Sequence, residues 1–316
     1  MAEILTITLN PTVDLSTSVP EVVAGPKLRC SMPEADPGGG GINVSRAIKF
    51  LGGDSTAFIA TGGETGARLL RLLAREGVRF TAFAVTGDTR QSIAVTDAAT
   101  GAQYRFVMPG PTWTTEAVSD ALHAIDRAAP DGGIVVLSGS QPPGVPVDFT
   151  SRLSHNLDAH GVRLFVDTSG APLHELVANP ANPFVLRMDD VEAEDIAGRK
   201  LPTRADTADY ASELVARGVA RTVIIARGSD GSTLATSDGR WHASRAIDPA
   251  EVVSAVGAGD SFVGAFTMAL ARGDDMHQAL CFGTAAASAT VTTKGTRLCD
   301  PKDVARLLDG CKLVEI

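Results

Sequence analysis

The stretch Gly133-Ile134-Val135-Val136-Leu137-Ser138 decides the fold class of this chain, because it is a short and continuous apolar run. Three runs of the same kind follow at 162–167, 183–186 and 222–226, and a segment of helix length separates each from the next. Apolar strands that alternate with helices are typical of a parallel sheet covered by helices on both faces. The sequence therefore predicts an α/β fold built on a parallel sheet.

The first third of the chain follows the same alternation, with an interruption. A β-branched strand at 4–9 ends at Asn10-Pro11, and a glycine run at 38–41 opens a helix over 42–51. A strand at 55–60 and a helix at 66–76 come next, followed by half-exposed strands at 92–97 and 103–109. We expect one large α/β domain over residues 1–316, with two segments near 12–36 and 88–110 forming a small β excursion outside the main sheet.

Composition and charge exclude several classes of protein. A chain of 316 residues with 44% apolar residues can bury a sizeable core, and no apolar run approaches the roughly 20 residues of a membrane helix. A formal net charge of −9 argues against a nucleic-acid surface. The start of the chain has no export signal, and four cysteines without metal spacing are typical of free thiols in a reducing compartment. We therefore expect a cytoplasmic protein without nucleic-acid or membrane partners.

The strongest local motif is the run Val256-Gly257-Ala258-Gly259-Asp260-Ser261, which precedes an amphipathic stretch. Small residues before a helix leave backbone N–H groups exposed at its N-terminus, where the helix dipole also favours an anion. A carboxylate there suits phosphoryl transfer, because it can take a hydroxyl proton while the donors hold the moving charge. The alternative is that Asp260 only caps the helix and that Gly257 and Gly259 shape a tight turn.

The glycine run 38–41 and a set of cations form a second candidate site. The run predicts a surface where ligand hydroxyls approach the backbone closely, and the alternative is a flexible loop that enters the next helix. Asp14 could bind sugar hydroxyls while a group of cations binds a substrate phosphate: Lys27, Arg29, Arg46, Arg90 and Arg105. Each of these cations alone could equally be an ordinary solvated charge. The chain contains neither a Walker loop nor a dinucleotide fingerprint, and its six histidines lack paired metal spacing.

Taken together, these motifs resemble a known family. The blocks at 9–14, 37–47 and 257–260 resemble the two signatures of the ribokinase-like (PfkB) carbohydrate kinases, in order and with the expected spacing. Four further blocks, at 27–30, 103–110, 138–144 and 295–299, are similar to the minor 6-phosphofructokinases, with tagatose-6-phosphate kinases and 1-phosphofructokinases as near relatives. The resemblance implies a three-layer α/β/α domain with a small β-sheet lid, ATP and Mg²⁺ as cofactors, and a homodimer formed through the lid.

The resemblance also implies a role for individual residues. Asp260 would be the general base, and the turn Gly257-Ala258-Gly259 would be the anion hole. The sugar phosphate would be bound by Asp14, Lys27, Gly39, Gly40, Asn43, Arg90 and Arg105. The nucleotide would be bound by Arg187, Ala226, Gly228, Gly231 and Gly283, and the metal by Glu192 and Asp189. The implied reaction is phosphorylation of fructose 6-phosphate at its 1-hydroxyl, with tagatose 6-phosphate or fructose 1-phosphate as alternative acceptors.

The sequence departs from the family pattern at the predicted nucleotide site. The usual Lys-Pro-Asn-x-x-Glu aligns with Arg187-Met188-Asp189-Asp190-Val191-Glu192, so that an arginine replaces a lysine and a carboxylate replaces an amide. Ala226 and Ala255 stand where hydroxyl residues are common. We expect activity with altered nucleotide or metal affinity. A sugar-phosphate-binding protein without catalysis is the alternative from another class, although Asp260 and Glu192 are retained. A kinase of nucleosides or of unphosphorylated sugars is a further alternative. It is disfavoured because its substrate would carry no charge for the predicted cations to bind.

Overall fold

The main sheet has ten strands, seven of them parallel. The computed structural model describes residues 1–293 and 297–316. The strand order is β14-β13-β12-β11-β10-β9-β8-β1-β4-β5. The parallel strands are β1 (Ile4–Thr8), β4 (Thr56–Thr61), β5 (Arg79–Ala84), β8 (Ile134–Ser138), β9 (Arg163–Asp167), β10 (Val185–Asp189) and β11 (Thr222–Ala226).

The strands β1 and β8 are neighbours inside the main sheet. Every residue of β1 and β8 is buried, and β1 lies between β4 and β8 with Leu5 opposite both Thr56 and Val135. Apolar side chains point to both faces of these strands because helices cover both. The predicted buried parallel strands at 133–138, 162–167 and 222–226 are confirmed within one residue at each end, whereas the run at 183–186 became β10, which begins two residues later and ends three residues later.

Three antiparallel strands, which the sequence analysis did not predict, extend the sheet beyond β11. They are β12 (Ser232–Thr236), β13 (Gly239–Ser244) and the C-terminal strand β14 (Lys312–Glu315). Their short sequences lack the continuous apolar pattern of the parallel strands, because the largely buried β12 contains serine and threonine, β13 is partly exposed and β14 is mostly exposed.

Helices cover the sheet on both faces and make a three-layer sandwich. One face carries α3 (Thr115–Ala128), α4 (Phe149–Asp158), α5 (Ala171–Ala178), α6 (Asp190–Ala197) and α7 (Arg204–Ala216). The other face carries α1 (Gly40–Phe50), α2 (Gly63–Arg75), α8 (Ala258–Arg272), α9 (Met276–Thr290) and α10 (Pro301–Leu308). The α1–α8 contact brings the two glycine-rich motifs together.

A separate four-stranded sheet, the small sheet, packs beside α1 and α2. Its order is β3-β2-β6-β7, with β2 (Thr12–Val19), β3 (Glu34–Gly38), β6 (Arg90–Asp97) and β7 (Gln103–Val107). Val13 and Leu15 of β2 join an apolar cluster with Leu69 and Leu73 of α2. The predicted α/β class with three layers and a small additional sheet is confirmed. Within residues 1–293 and 297–316, no helix has the length and apolar character needed to cross a bilayer.

Candidate active site

The carboxyl ends of the parallel strands place several polar residues at one edge of the main sheet. Ser138 ends β8 opposite Asp167, which ends β9, and Arg187 of β10 is also paired with Asp167. Asp189 and Ala226 are opposite each other at the ends of β10 and β11. Ligands bind at this edge in open α/β sheets, so the fold itself selects this region as the site.

Helix α8 points its N-terminus at this edge and carries Asp260 in its first turn. The N-cap is Gly257, whose φ of 78° is a left-handed conformation that glycine adopts without strain. No side chain caps the helix, so the interpretation of Asp260 as a helix cap is wrong, whereas the tight turn at Gly257 is present. Instead, the Asn43 side-chain amide Nδ2 donates a hydrogen bond of 2.9 Å to Asp260 Oδ2.

The surroundings of Asp260 favour its protonated form more than water does. Burial and the neighbouring charge of Asp167 raise the pKa of Asp260 from 3.8 to about 6, although Asn43, Arg187 and Arg46 oppose the shift. A carboxylate with such a pKa is largely ionised at neutral pH and accepts a proton more readily than an ordinary aspartate.

Arg187 links the other charges beside Asp260. Its Nη1 donates a hydrogen bond of 2.9 Å to Asp167 Oδ1, and the Ser138 hydroxyl donates to Asp167 Oδ2 at 3.1 Å. The guanidinium also lies 5.7 Å from the ring centroid of Phe262. A Cβ at Gly259 would lie only 3.1 Å from Arg187 Nη2, so glycine is what lets this cation reach the turn before α8.

The predicted sugar-binding residues lie around the start of α1, and one of them, Asn43, contacts Asp260. Gly39 precedes α1, Gly40 begins it against Ser138, and Asn43 is on its first turn. Asp14 of β2 lies against the run, because a Cβ at Gly38 would be 2.1 Å from its Oδ2. Burial raises the pKa of Asp14, while a Thr12 hydrogen bond and the charges of two arginines, Arg90 and Arg105, oppose the shift.

The structure separates the predicted cations into different environments. Arg90 is half-buried, and its Nε and Nη2 donate to the Asn10 carbonyl at 3.3 and 3.2 Å. Arg105 is on the exposed strand β7, and Lys27 is on the exposed segment between β2 and β3. Arg46 faces inward, away from any substrate phosphate, because both of its outer nitrogens and its Nε are hydrogen bonded inside the protein. Its inclusion among the substrate-binding cations is therefore wrong.

The two predicted metal ligands form the start of helix α6. The Asp189 Oδ1 accepts from the Glu192 backbone N–H at 2.8 Å, and Glu192 Oε2 accepts from the Asp189 backbone N–H at 2.9 Å. This capping box keeps both carboxylates beside the sheet edge. Burial raises the pKa of Glu192, as do the charges of Asp189 and Asp167. The residues fit Mg²⁺, which needs only one or two carboxylates beside substrate phosphates, even though the described residues form no ready three-ligand cluster.

The loop after β11 holds the next group of predicted nucleotide residues. Ala226 ends β11, and Gly228 and Gly231 flank a 3₁₀ turn. Asp230 in this turn accepts hydrogen bonds from Arg204 and Arg227, whose contacts lower its pKa to about 2. These ion pairs hold the loop in one conformation.

Gly283 occupies a different environment from the other predicted nucleotide residues. It is buried in α9, where a Cβ would lie 2.9 Å from the Phe262 ring. Close packing of α9 on α8 therefore accounts for glycine at this position. Of the predicted family block 295–299, Gly295 and Thr296 lie outside the described residues, whereas Cys299 is buried and Leu298 packs beside Gly257.

The sequence analysis missed two groups of residues at this site. Asp167 and Ser138 both end predicted buried strands, so the rule that ligands bind at carboxyl strand ends could have found them. Glu76, the C-cap residue of α2, pairs with Arg46 across 30 residues of chain, and no pattern in the sequence indicates this pairing.

A family comparison agrees with this arrangement. Residues 4–303 match the pfkB family carbohydrate kinase model, so the chain belongs to this family and is an ATP-dependent phosphotransferase with an alcohol acceptor. The family implies ATP as a substrate and, in most members, Mg²⁺.

Individual proteins are similar over nearly the whole chain. An ATP-dependent 6-phosphofructokinase isozyme 2 from Mycobacterium tuberculosis (strain CDC 1551 / Oshkosh) is 39% identical over 308 residues, covering 97% of this chain and 89% of that protein. A 1-phosphofructokinase from Bacillus subtilis (strain 168) is 31% identical over 91% of this chain and 92% of its own length. The crystal structure of phosphofructokinase-2 from Escherichia coli in complex with fructose-6-phosphate superposes with a TM-score of 0.90 at 35% identity, covering 98% of this chain and 99% of that one.

Proposed function

We propose that this protein phosphorylates fructose 6-phosphate at its 1-hydroxyl with ATP, giving fructose 1,6-bisphosphate. The observation that carries the proposal is the hydrogen bond between Asn43 and Asp260, which joins the glycine-run helix to the carboxylate of α8. It supports the proposal because it brings a candidate base next to the helix that the glycine run begins. The similarity to a 6-phosphofructokinase isozyme 2 supports fructose 6-phosphate as the acceptor.

Asp260 acts as the general base in this proposal. The acceptor hydroxyl binds beside its carboxylate and gives up a proton as its oxygen begins to bond to phosphorus. A pKa of about 6 leaves the carboxylate ionised at neutral pH and still basic enough to accept the proton. Positioning supplies the larger share of the acceleration, because the reacting oxygen is held next to the γ-phosphoryl group.

Charge stabilisation comes from the turn before α8 and from Arg187. The first backbone N–H groups of a helix lack intrahelical acceptors and favour an anion. Gly259 lies next to the Arg187 guanidinium, so a fixed positive charge is present where the phosphoryl group moves. The Ala258 N–H donates to the Ala255 carbonyl at 3.3 Å, so its use in the anion hole requires that this long bond opens.

The acceptor is held by two kinds of group. Asp14, Gly39, Gly40 and Asn43 contact the sugar hydroxyls, while Arg90, with Arg105 and Lys27, binds the phosphate that the substrate already carries. The charges of Arg90 and Arg105 act on Asp14, which supports a common site for the carboxylate and these cations. Tagatose 6-phosphate and fructose 1-phosphate are the alternative acceptors, and the similarity to a 1-phosphofructokinase supports the second.

The nucleotide binds along the sheet edge. Arg187, Ala226, Gly228 and Gly231 border this edge, and Glu192 with Asp189 would hold Mg²⁺. The metal, when bound, neutralises charge on the triphosphate. The carboxylates of Asp189 and Glu192 repel ATP that has no bound cation. Because Asp189 stands where the family usually has an amide, ATP binding should depend on the metal more strongly here.

The small sheet supports a homodimer. Every residue of β7 is exposed, including Tyr104, Phe106 and Val107. Met32, which lies just before β3 at the opposite edge of this sheet, is 90% exposed. Apolar side chains on one exposed sheet favour burial against a second copy. Closure of the small sheet over the site would then exclude water, which otherwise accepts the phosphoryl group.

A panel of acceptors tests the proposal. ADP release is measured with ATP, Mg²⁺ and fructose 6-phosphate, tagatose 6-phosphate, fructose 1-phosphate, fructose or adenosine. We expect the largest kcat/KM with fructose 6-phosphate and negligible turnover of the two unphosphorylated compounds. A larger kcat/KM with another sugar phosphate would show that this compound, and not fructose 6-phosphate, is the acceptor. Ligand binding without ADP release would identify a non-catalytic sugar-phosphate-binding protein.

A further inference from the structure

Arg46 is a buried cation that joins three parts of the protein, and among the residues proposed to bind the substrate it donates a hydrogen bond to Asn43. Its side chain is 4% exposed, and its Nε and Nη2 donate to the two carboxylate oxygens of Glu76 at 2.6 and 2.8 Å. Its Nη1 donates to the Pro37 carbonyl of β3 and to Asn43 Oδ1, both at 3.2 Å. Glu76 is the C-cap residue of α2. Arg46 therefore connects α2, the small sheet and α1.

The bond from Arg46 determines which way the Asn43 amide faces. A primary amide has one acceptor oxygen and one donor nitrogen. Because Oδ1 accepts from Arg46, Nδ2 lies on the opposite side and donates to Asp260 Oδ2 at 2.9 Å. A flipped amide would place N–H groups against the guanidinium and an oxygen against the carboxylate. Both contacts would then be repulsive.

The neighbouring charges act on Asp260 in other ways. Asp167 of β9 repels the carboxylate, and Arg187 of β10 directs its Nη1 to Asp167 while its charge favours the ionised form of Asp260. Within the described part of the chain, the Asn43 amide is the side-chain hydrogen-bond donor to Asp260. The orientation of the base thus depends on Asn43, and the orientation of Asn43 depends on Arg46.

We propose that Arg46 and Glu76 are positioning residues of the reaction. Glu76 holds the guanidinium with a two-pronged ion pair, and the guanidinium fixes the Asn43 amide. That amide engages one oxygen of Asp260 and leaves the other oxygen available to the acceptor hydroxyl. The Pro37 bond ties the end of β3, beside the sugar-binding glycine run, to the same cation. This inference rests on the proposed function of Asp260 as the base.

The test replaces the ion pair without leaving a buried charge. In the double variant Arg46→Met/Glu76→Met both charges are removed, which proteins often tolerate when the pair is buried. We expect kcat with saturating ATP, Mg²⁺ and fructose 6-phosphate to fall roughly 10- to 100-fold. The KM values should change less than kcat. In the pH profile of kcat, the fall on the acid side should move to higher pH. The reason is that the Asn43 amide, which favours the ionised form of Asp260, is no longer held in place.

Two further variants separate positioning from a general loss of stability. Arg46→Lys keeps the positive charge but cannot donate two parallel hydrogen bonds to the Glu76 carboxylate. We therefore expect its kcat to lie between those of the double variant and the wild type. Arg217→Met is the control, because Arg217 also pairs with a glutamate, at 3.6 Å, and donates to a backbone carbonyl, at 2.9 Å, but is the C-cap residue of α7 and pairs with none of the site residues. It should leave the acid limb unchanged. An unchanged kcat in the double variant, or a reduced kcat with an unmoved acid limb, would overturn the inference.

The inference can also be tested if the proposed function fails. Absence of turnover in the wild-type protein with every acceptor would refute the function and leave the positioning question open to a direct measurement. The titration of Asp260 is then followed by ¹³C NMR of aspartate-labelled protein, with Asp260→Asn used to assign the signal. The double variant should titrate at higher pH than the wild type. Equal titration would refute the role of Arg46 and Glu76.

Discussion

Asp230 and Asp260 are two aspartates in the same edge region of the protein, and their surroundings act on them in opposite directions. Asp230 lies between Arg204 and Arg227, which lower its pKa to about 2. Asp260 is half-buried, and desolvation together with the charge of Asp167 raises its pKa to about 6. The first carboxylate is fixed in its charged form and stabilises a loop. The second lies close to its titration point, as a group that exchanges protons must.

Under the proposed function, this comparison distinguishes two tasks at one sheet edge. On the proposed nucleotide side, Arg204 and Arg227 donate to the Asp230 carboxylate in the 228–231 turn. On the proposed acceptor side, Arg187 donates to Asp167, and among the described residues the side-chain donor to Asp260 is Asn43. The two carboxylates therefore differ first in burial and then in how many donors each receives, rather than in the residue type.

The largest expected effect comes from removing the ionisable group on the acceptor side. Asp260→Asn should lower kcat by roughly 10²- to 10⁴-fold, because the acceptor hydroxyl loses its base. Binding of fructose 6-phosphate and ATP, measured by calorimetry, should stay within a few-fold of the wild type. Asp230→Asn is the matched control, and with saturating ATP it should lower kcat far less. Near-normal turnover of Asp260→Asn would remove its role as the base.

A smaller effect is expected from the cation that binds the substrate phosphate. Arg90→Ala should raise the KM for fructose 6-phosphate roughly 10- to 100-fold, because a charge-assisted contact to the phosphate is lost. The KM for ATP should change much less. Arg79→Ala, an exposed arginine of β5, serves as the control in the same steady-state assay. A larger change in the KM for ATP would place Arg90 on the nucleotide side.

The smallest effect sharpens the comparison on the nucleotide side. Asp189→Asn removes one charge beside Glu192, while asparagine caps α6 as well as aspartate does. With Mg²⁺ limiting, the KM for ATP should fall roughly two- to tenfold, because one repulsive charge is lost. More Mg²⁺ should then be needed for half-maximal activity. Asp190→Asn makes the same charge change one residue away and is the control. Curves that coincide with the wild type would show that Asp189 does not act on the metal or the nucleotide.

Much of the fold was predictable because burial leaves a strong trace in the sequence. The runs at 133–138, 162–167 and 222–226 became β8, β9 and β11, since a strand covered on both faces must be apolar throughout. Strand β14, by contrast, is mostly exposed and pairs with β13 across about 70 residues of chain. Such a short edge strand is defined by its partner and has little pattern of its own.

The candidate site was predictable where a local motif carries it. The turn at Gly257 and the run at 38–41 belong to short contiguous blocks, and both were found with Asp260 and Asn43. The roles of Arg46 and Glu76 were not predicted, because an arginine in a helix has the same appearance whether it faces solvent or a buried carboxylate. Gly283 shows the converse, since a glycine expected to contact the nucleotide is explained by packing against Phe262.

The pH dependence of kcat/KM for fructose 6-phosphate tests the central claim most directly. Asp260 must be ionised to accept a proton, and its pKa in the fold is about 6. Activity should therefore be constant near neutral pH and fall at least tenfold per pH unit below an acid limb close to pH 6. The phosphate monoester of the substrate titrates in the same range and contributes equally to both enzymes, so the residual activity of Asp260→Asn should fall less steeply than that of the wild type. A wild-type profile that stays flat down to pH 4.5, or one that falls no more steeply than the profile of Asp260→Asn, would contradict the assignment of Asp260 as the catalytic base.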